Sequence, residues 1–271
     1  MKVSILGSGW YGTALGKALV ARGYYVNASA TTASKANVLE GLGMKGFAIQ
    51  ISSDVELDST SPFWNTDVLI IASNVKLVPE GSYVRGMQQV AAIIQHKRIQ
   101  QVILISSTSV YGETNGYVDE NSFALAHSGS ASALLQLEDI IFKAAASNTT
   151  MLRFGGLVGP GRMPGRFFAG KANIPNGRAP INLIHLEDCI GITLRLLDKE
   201  WVPAYLNGVS PDHPSRSEFY TAAAAEQQLH TPIFIDELLD WKIVQSRYEQ
   251  DLGYEYVIKD WMGWIKNVSE Q

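Results

Sequence analysis

Cysteine is almost missing from this chain: Cys189 is the only one in 271 residues. A lone thiol excludes an internal disulfide and any cysteine-rich metal centre, and it suits a reducing compartment. Runs of basic residues are absent too, and the formal net charge is −4, which argues against nucleic acid or an anionic membrane surface as a partner. No apolar stretch approaches the length that spans a bilayer. The apolar start Val3–Leu6 is too short for the core of a signal peptide, and no small-residue cleavage site follows it. With 46% hydrophobic and 18% charged residues, the composition is neither disordered nor fibrous. These absences leave a cytoplasmic globular protein able to bury a sizeable core.

What is present begins at once. The apolar run of Lys2–Leu6 meets Gly7-Ser8-Gly9-Trp10-Tyr11-Gly12, a G-x-G-x-x-G, and the helix-forming Thr13–Val20 follows. In this strand, loop and helix context the pattern is a dinucleotide-binding fingerprint. Gly7 permits the tight turn, Gly9 lets the backbone approach a pyrophosphate, and Gly12 lets helix and strand pack closely. The six residues Gly7, Ser8, Gly9, Trp10, Tyr11 and Gly12 are therefore expected to bind the cofactor.

Further on, apolar runs alternate with helical patterns, which predicts an α/β protein with a Rossmann-type, doubly wound parallel sheet. Strands are expected at Lys2–Leu6, Tyr25–Ala30, Gly46–Ile51, Asp67–Ala72, Gln101–Ser106, Thr150–Phe154 and Ala204–Asn207. Helices are expected near Thr13–Ala21, Ser34–Leu42, Tyr83–His96, Ala131–Ala146, Glu187–Leu197 and Ser215–Leu229. The strand Asp67–Ala72 delivers Ala72 and Ser73 as further cofactor contacts. Gly155–Pro180, rich in glycine and proline and carrying Arg162, Arg166, Lys171 and Arg178, is the one long irregular stretch, and such loops are usually functional. With the aromatic-rich residues 210–271 it is expected to form a small C-terminal substrate lobe on a single dinucleotide-binding domain spanning 1–271.

A second run, Val102–Ile105 followed by Ser106-Ser107-Thr108-Ser109-Val110-Tyr111-Gly112, brings four hydroxyl residues and Tyr-Gly to the carboxyl edge of the sheet, where ligands bind in open α/β folds. This motif resembles the end of the fifth strand in extended short-chain dehydrogenase/reductases, the family of nucleotide-sugar epimerases and dehydratases. Leu152–Arg162 and Asn182–Asp188 resemble the same family's later motifs. The stretch Gly159–Lys171 is similar to that of the bacterial YeeZ-like group of NAD-dependent epimerase/dehydratase-like proteins.

The resemblance implies a Ser/Thr-Tyr-Lys catalytic set. Counting back from Tyr111 puts the carbonyl-polarising Ser at Ser107. The Tyr-x-x-x-Lys pair should open a helix about twenty residues later, but Ser130 and Leu134 stand there, and none of the eleven tyrosines has Lys four residues on. Tyr normally transfers the proton while Lys lowers its pKa and bonds the nicotinamide ribose. Tyr111 is the expected substitute acid, with Tyr117 also in range. By the same resemblance Asn182 and Thr108 contact substrate and His185 lines the rear of the site. Arg162 and Arg166 offer paired donors to a phosphate or carboxylate, which suits an anionic or nucleotide-linked substrate. His185 and Asp188 lack the companions that a metal site requires.

One more absence bears on the cofactor. The second strand runs out in Ser29-Ala30-Thr31-Thr32-Ala33-Ser34-Lys35, without the carboxylate that would bond the ribose 2′-hydroxyl of NAD. Thr31, Thr32 and Lys35 suit a 2′-phosphate better, so NADP is expected ahead of NAD, although Thr31 and Ser34 could simply cap the next helix. Two function classes remain: an oxidoreductase or epimerase-like enzyme with an unconventional proton donor, and a non-catalytic NADP-binding redox sensor.

Overall fold

The computed structural model describes residues 1–73, 80–126, 128–145 and 148–268. In chain order its elements are β1 (Lys2–Leu6), α1 (Trp10–Ala21), β2 (Tyr25–Ala30), α2 (Ala33–Glu40), β3 (Lys45–Ala48), β4 (Val68–Ile71), α3 (Glu80–Lys97) and β5 (Gln101–Ser107). Then come β6 (Gly116–Val118), α4 (Gly129–Ala144), β7 (Thr149–Phe154), β8 (Gly156–Val158), α5 (Gly165–Phe168), β9 (Leu183–His185) and α6 (Leu186–Leu197). The chain closes with β10 (Tyr205–Gly208), α7 (Arg216–Glu226), β11 (Lys242–Val244), α8 (Glu249–Leu252) and α9 (Trp261–Val268).

Seven strands form one parallel sheet in the order β10-β7-β5-β4-β1-β2-β3, flanked by helices in the doubly wound manner that the alternation predicted. The wholly buried strand patterns of β4 (VLII) and β7 (TTMLRF) are those of strands covered on both faces. From β1 the chain proceeds outward through β2 and β3, then returns to place β4 on the other side of β1. The strand order therefore reverses between β1 and β4. In open α/β sheets that reversal opens a crevice at the carboxyl ends of the strands.

The chain divides into two compact units. The first comprises Met1–Val110, Ala126–Arg153 and Thr193–Leu206; the second comprises Tyr111–Leu125, Phe154–Ile192 and Asn207–Gln271. In the first, a core of Leu6, Phe63, Trp64, Leu69, Met87, Val90, Leu104, Leu137 and Ile141 fills the space between sheet and helices. A buried ion pair stiffens it: Arg153 on β7 donates through Nε and Nη2 to Glu138 on α4 at 3.0 and 2.6 Å, and Ser106 on β5 donates to the same carboxylate at 2.6 Å. In the second unit, Val158, Leu183, Phe219, Tyr220, Trp261 and Ile265 form a separate core. There Asp188 is fully buried and accepts bonds from Tyr254 Oη and from the Val257 and Ile258 amides, which fastens residues 254–258 to α6.

The observed boundaries differ from the predicted ones at places with local causes. β3 stops at Ala48 instead of Ile51 because Ile49–Ile51 turn to line a cleft. α7 ends at Glu226 because Gln228 takes a left-handed φ of +54°. The helix expected over Ala131–Ala146 runs from Gly129 to Ala144, and Ala146 lies outside the described residues. The parallel pairs β6–β11 and β8–β9 were not predicted.

Candidate functional site

The cleft at the strand-order reversal lies wholly in the first unit. It has a volume of about 260 Å³ and is lined by the end of β1 and the glycine loop, by Ser29–Thr31 and Lys35, by Ile49–Ile51, and by Ala72, Ser73 and Tyr83. The glycine loop is held from both sides. The Gly7 amide donates to Ser29 Oγ (2.9 Å), the Ser8 amide to the Ser29 carbonyl (2.8 Å), and Thr13 Oγ1 to the Ser8 carbonyl (2.9 Å). Gly7 has φ +104°, and a Cβ there would lie 2.6 Å from the Ser73 backbone; glycine alone allows both the turn and the contact with the end of β4. Gly12 serves packing, since a Cβ would stand 2.3 Å from the Gly7 carbonyl oxygen.

Gly9 differs from both. A Cβ on Gly9 would meet nothing within 4 Å, and its φ of −79° is open to any residue. No side chain caps α1, whose N-cap is Gly9 itself. Beside it the Ser8 hydroxyl is buried without a hydrogen-bond partner. A buried donor left unpaired costs about 1–3 kcal/mol. The space above Gly9, the orphaned hydroxyl and the positive end of a helix together fit a bound phosphate group.

The structure separates the expected cofactor residues into groups. Gly7, Ser8, Gly9, Thr31, Lys35, Ala72 and Ser73 line the cleft, whereas Trp10, Tyr11, Gly12 and Thr32 do not. Tyr11 is buried, with its hydroxyl 2.6 Å from Thr193 Oγ1, so its side chain is structural. Thr32 is the N-cap of α2, accepting from the Lys35 amide; it caps the helix, where Thr31 and Ser34 were considered for that task. Among the described residues no carboxylate lines the cleft. Ser29, Gln50 and Tyr83 line it without having been expected there. Burial pushes the Tyr83 phenol up to about 12. Only Ser29 carried a sequence signal, standing beside the expected contacts.

At the end of β5, Ser107 is half-buried and its Oγ accepts from the Ser109 amide (3.2 Å). Thr108 is 5% exposed, which corrects its expected role in contacting substrate. Ser130 is exposed in the first turn of α4, its hydroxyl 3.2 Å from that of the N-cap Ser128, and Leu134 is half-buried on the same helix. Neither restores the chemistry of Tyr and Lys.

Three expectations for the second unit need correction. Tyr111 is fully buried and its hydroxyl donates to Asn207 Oδ1 at 2.9 Å, so it is not presented as an acid to any ligand. Asn182 uses both ends of its amide on β11, donating to the Lys242 carbonyl (2.9 Å) and accepting from the Val244 amide (2.8 Å), which makes it a brace. His185 is buried against the edge of Trp264, and its Nδ1 accepts from the Glu187 amide (3.3 Å). Burial holds its imidazole below the ordinary histidine value, against the opposing charges of Glu187 and Asp188. Arg162 and Arg166 are exposed, and Arg166 borders a shallow depression with Met163 and Glu226. Tyr117 on β6 is 66% exposed. Among the described residues no group of His, Cys, Asp and Glu could hold a metal ion, and no helix is long and apolar enough to cross a membrane.

The chain is 35% identical over 266 residues to Protein YeeZ of Escherichia coli strain K12, an alignment covering 96% of this chain and 97% of that protein. Its fold is similar to that of UDP-glucuronic acid 4-epimerase from Bacillus cereus in complex with NAD, with a TM-score of 0.81 at 18% identity, covering 100% of this chain and 96% of the other. It is similar also to the human epimerase family protein SDR39U1 with NADPH, with a TM-score of 0.74 at 19% identity, covering 100% and 99%. No family model matches the chain.

Proposed function

The chain belongs to the YeeZ family, within the epimerase/dehydratase-like short-chain dehydrogenase/reductases, and on that premise we propose that it binds NADP, ahead of NAD, in the cleft between the ends of β1 and β4. The observation that carries this reading is the combination at the glycine loop: open space over Gly9 beside the buried, unpartnered Ser8 hydroxyl. Thr31 and Lys35 border the same cleft, and among the described residues no acid does. Lys35 supplies a point charge suited to a 2′-phosphate, and Ile49 and Ile51 give apolar walls suited to a purine. The NAD and NADPH held by the two structural neighbours support the same reading.

The protein acts as an oxidoreductase or epimerase-like enzyme on a small anionic or nucleotide-linked molecule, in the cytoplasm, as a monomer or homodimer. The nicotinamide, when bound, supplies a hydride donor or acceptor. Ser107, half-buried at the carboxyl end of β5 in the first unit, polarises the substrate carbonyl. Proton transfer by a positioned side chain is worth roughly 10²–10⁴-fold, and with Ser130 and Leu134 in place of Tyr and Lys the turnover is correspondingly slow. The same two residues favour a second reading, a redox sensor that keeps the cofactor and has lost the chemistry.

The test is a screen of nucleotide-linked sugars and small keto acids against the NADP-loaded protein, followed by nicotinamide absorbance, with Ser107→Ala alongside. Slow turnover abolished by the substitution supports the enzyme. NADP binding without turnover of any compound supports the sensor.

A further inference from the structure

Ser73 follows the carboxyl end of β4, and its backbone lies against Gly7, at the turn of the glycine loop. Its Oγ is 2.5 Å from the hydroxyl of Tyr83, which also reaches the Ser73 carbonyl at 3.3 Å. Both residues line the cleft. Tyr83 is held rigidly there. Ser82, its neighbour in the first turns of α3, accepts from the Ser53 amide at 2.9 Å. One turn on, Gly86 lets the helix close on the Ile51–Ser52 backbone, where a Cβ would stand 2.6 Å from the Ile51 side chain and 2.9 Å from the Ser52 amide. The ring itself is 2% exposed, packed in the core with Leu6, Ile51 and Met87.

Counting hydrogens decides what such a pair can do. Two hydroxyls carry two hydrogens, and the bond between them uses one. If Ser73 donates to Tyr83, the phenolic hydrogen turns to the Ser73 carbonyl and the cleft receives none. If Tyr83 donates to Ser73, the Ser73 hydrogen is free for an acceptor in the cleft. An anionic oxygen there selects the second arrangement.

Resting on the NADP reading above, we propose that Tyr83 is a positioning residue that turns the Ser73 hydroxyl into a hydrogen-bond donor to the pyrophosphate bridge of the dinucleotide. The bond runs from Tyr83 Oη to Ser73 Oγ and from Ser73 Oγ to a phosphate oxygen. It adds a third element to the orphaned Ser8 hydroxyl and the α1 terminus on the same anion. With its phenol pushed up to about 12 by burial, Tyr83 stays protonated throughout the neutral range, so it serves as a permanent donor and not as the missing general base.

Calorimetric titration of the full chain with NADP, and with adenosine 2′-monophosphate, which keeps the Lys35 contact but lacks the pyrophosphate, tests this directly. A hydrogen bond to a charged group sets the scale: Ser73→Ala should weaken NADP about 10- to 100-fold and Tyr83→Phe about 3- to 10-fold, with Ser73→Thr restoring most of the affinity. Neither Ser73→Ala nor Tyr83→Phe should change binding of the monophosphate more than about twofold, within the uncertainty of small net effects. Unchanged NADP affinity in both variants would overturn the proposal while leaving the cofactor reading intact. Equal losses for both ligands would also overturn it, since that pattern means a deformed cleft. Failure of the unsubstituted protein to bind NADP would overturn the cofactor reading itself.

Discussion

Replacing Gly9 by Ala should separate folding from binding more cleanly than any other substitution in the glycine loop. At Gly9 the added methyl meets no protein atom within 4 Å, and φ is −79°. The ligand-free protein should therefore lose nothing, and restriction of the unfolded chain should add about 0.4–1 kcal/mol, raising the melting temperature by about 1–4 °C. The same methyl occupies the space that the pyrophosphate needs. An overpacked contact costs about 1–3 kcal/mol, which is about 5- to 150-fold in the dissociation constant for NADP. Gly12→Ala should do the opposite to stability, because its methyl would stand 2.3 Å from the Gly7 carbonyl oxygen. Calorimetry and thermal melting on both variants measure the two quantities independently. Wild-type NADP affinity in Gly9→Ala would mean that no pyrophosphate lies over Gly9, and a melting temperature several degrees lower without ligand would mean that its methyl strains the loop.

Other perturbations follow from single contacts. Lys35→Ala should weaken NADP about 10- to 100-fold, the scale of a lost bond to a charged phosphate, and NAD by less than about twofold; equal losses by titration would contradict the 2′-phosphate contact. Glu138→Ala removes the buried carboxylate to which Arg153 and Ser106 donate, which should cost about 3–5 kcal/mol in urea unfolding, whereas a change under about 1 kcal/mol would place the pair among the weak surface kind. Burial holds His185 and His213 below the ordinary histidine value. The folded state thus prefers both neutral, so their contribution is complete above about pH 6.5 and is lost as the pH falls toward their depressed values. Melting temperatures of His185→Gln and His213→Gln against pH should flatten that acid limb, and an unchanged slope would remove these residues as its cause.

The strands of the main sheet were legible because burial on both faces writes itself as apolar runs. Lys2–Leu6 and Tyr25–Ala30 end where the sequence placed them. The three-residue pairs β6–β11 and β8–β9 were not, since so short a run has no period and its partner is remote, as with Gly116 and Lys242. The glycine loop was legible because its glycines answer to local constraints. Tyr83 was not, because what brings it to the cleft is the packing of α3 on Ile51 and Ser52. For Tyr111 and Asn182 the family pattern named the positions, and the hydrogen bonds to Asn207 and to β11 gave them structural work.

Calorimetric titration of the purified protein with NADP, NADPH, NAD and NADH shows whether the cleft between the ends of β1 and β4 holds a pyridine dinucleotide. Micromolar binding is expected, with the phosphorylated pair tighter than the unphosphorylated pair and the affinity about 5- to 150-fold weaker in Gly9→Ala. Absence of binding by all four would contradict it and leave the glycine loop with another ligand or none.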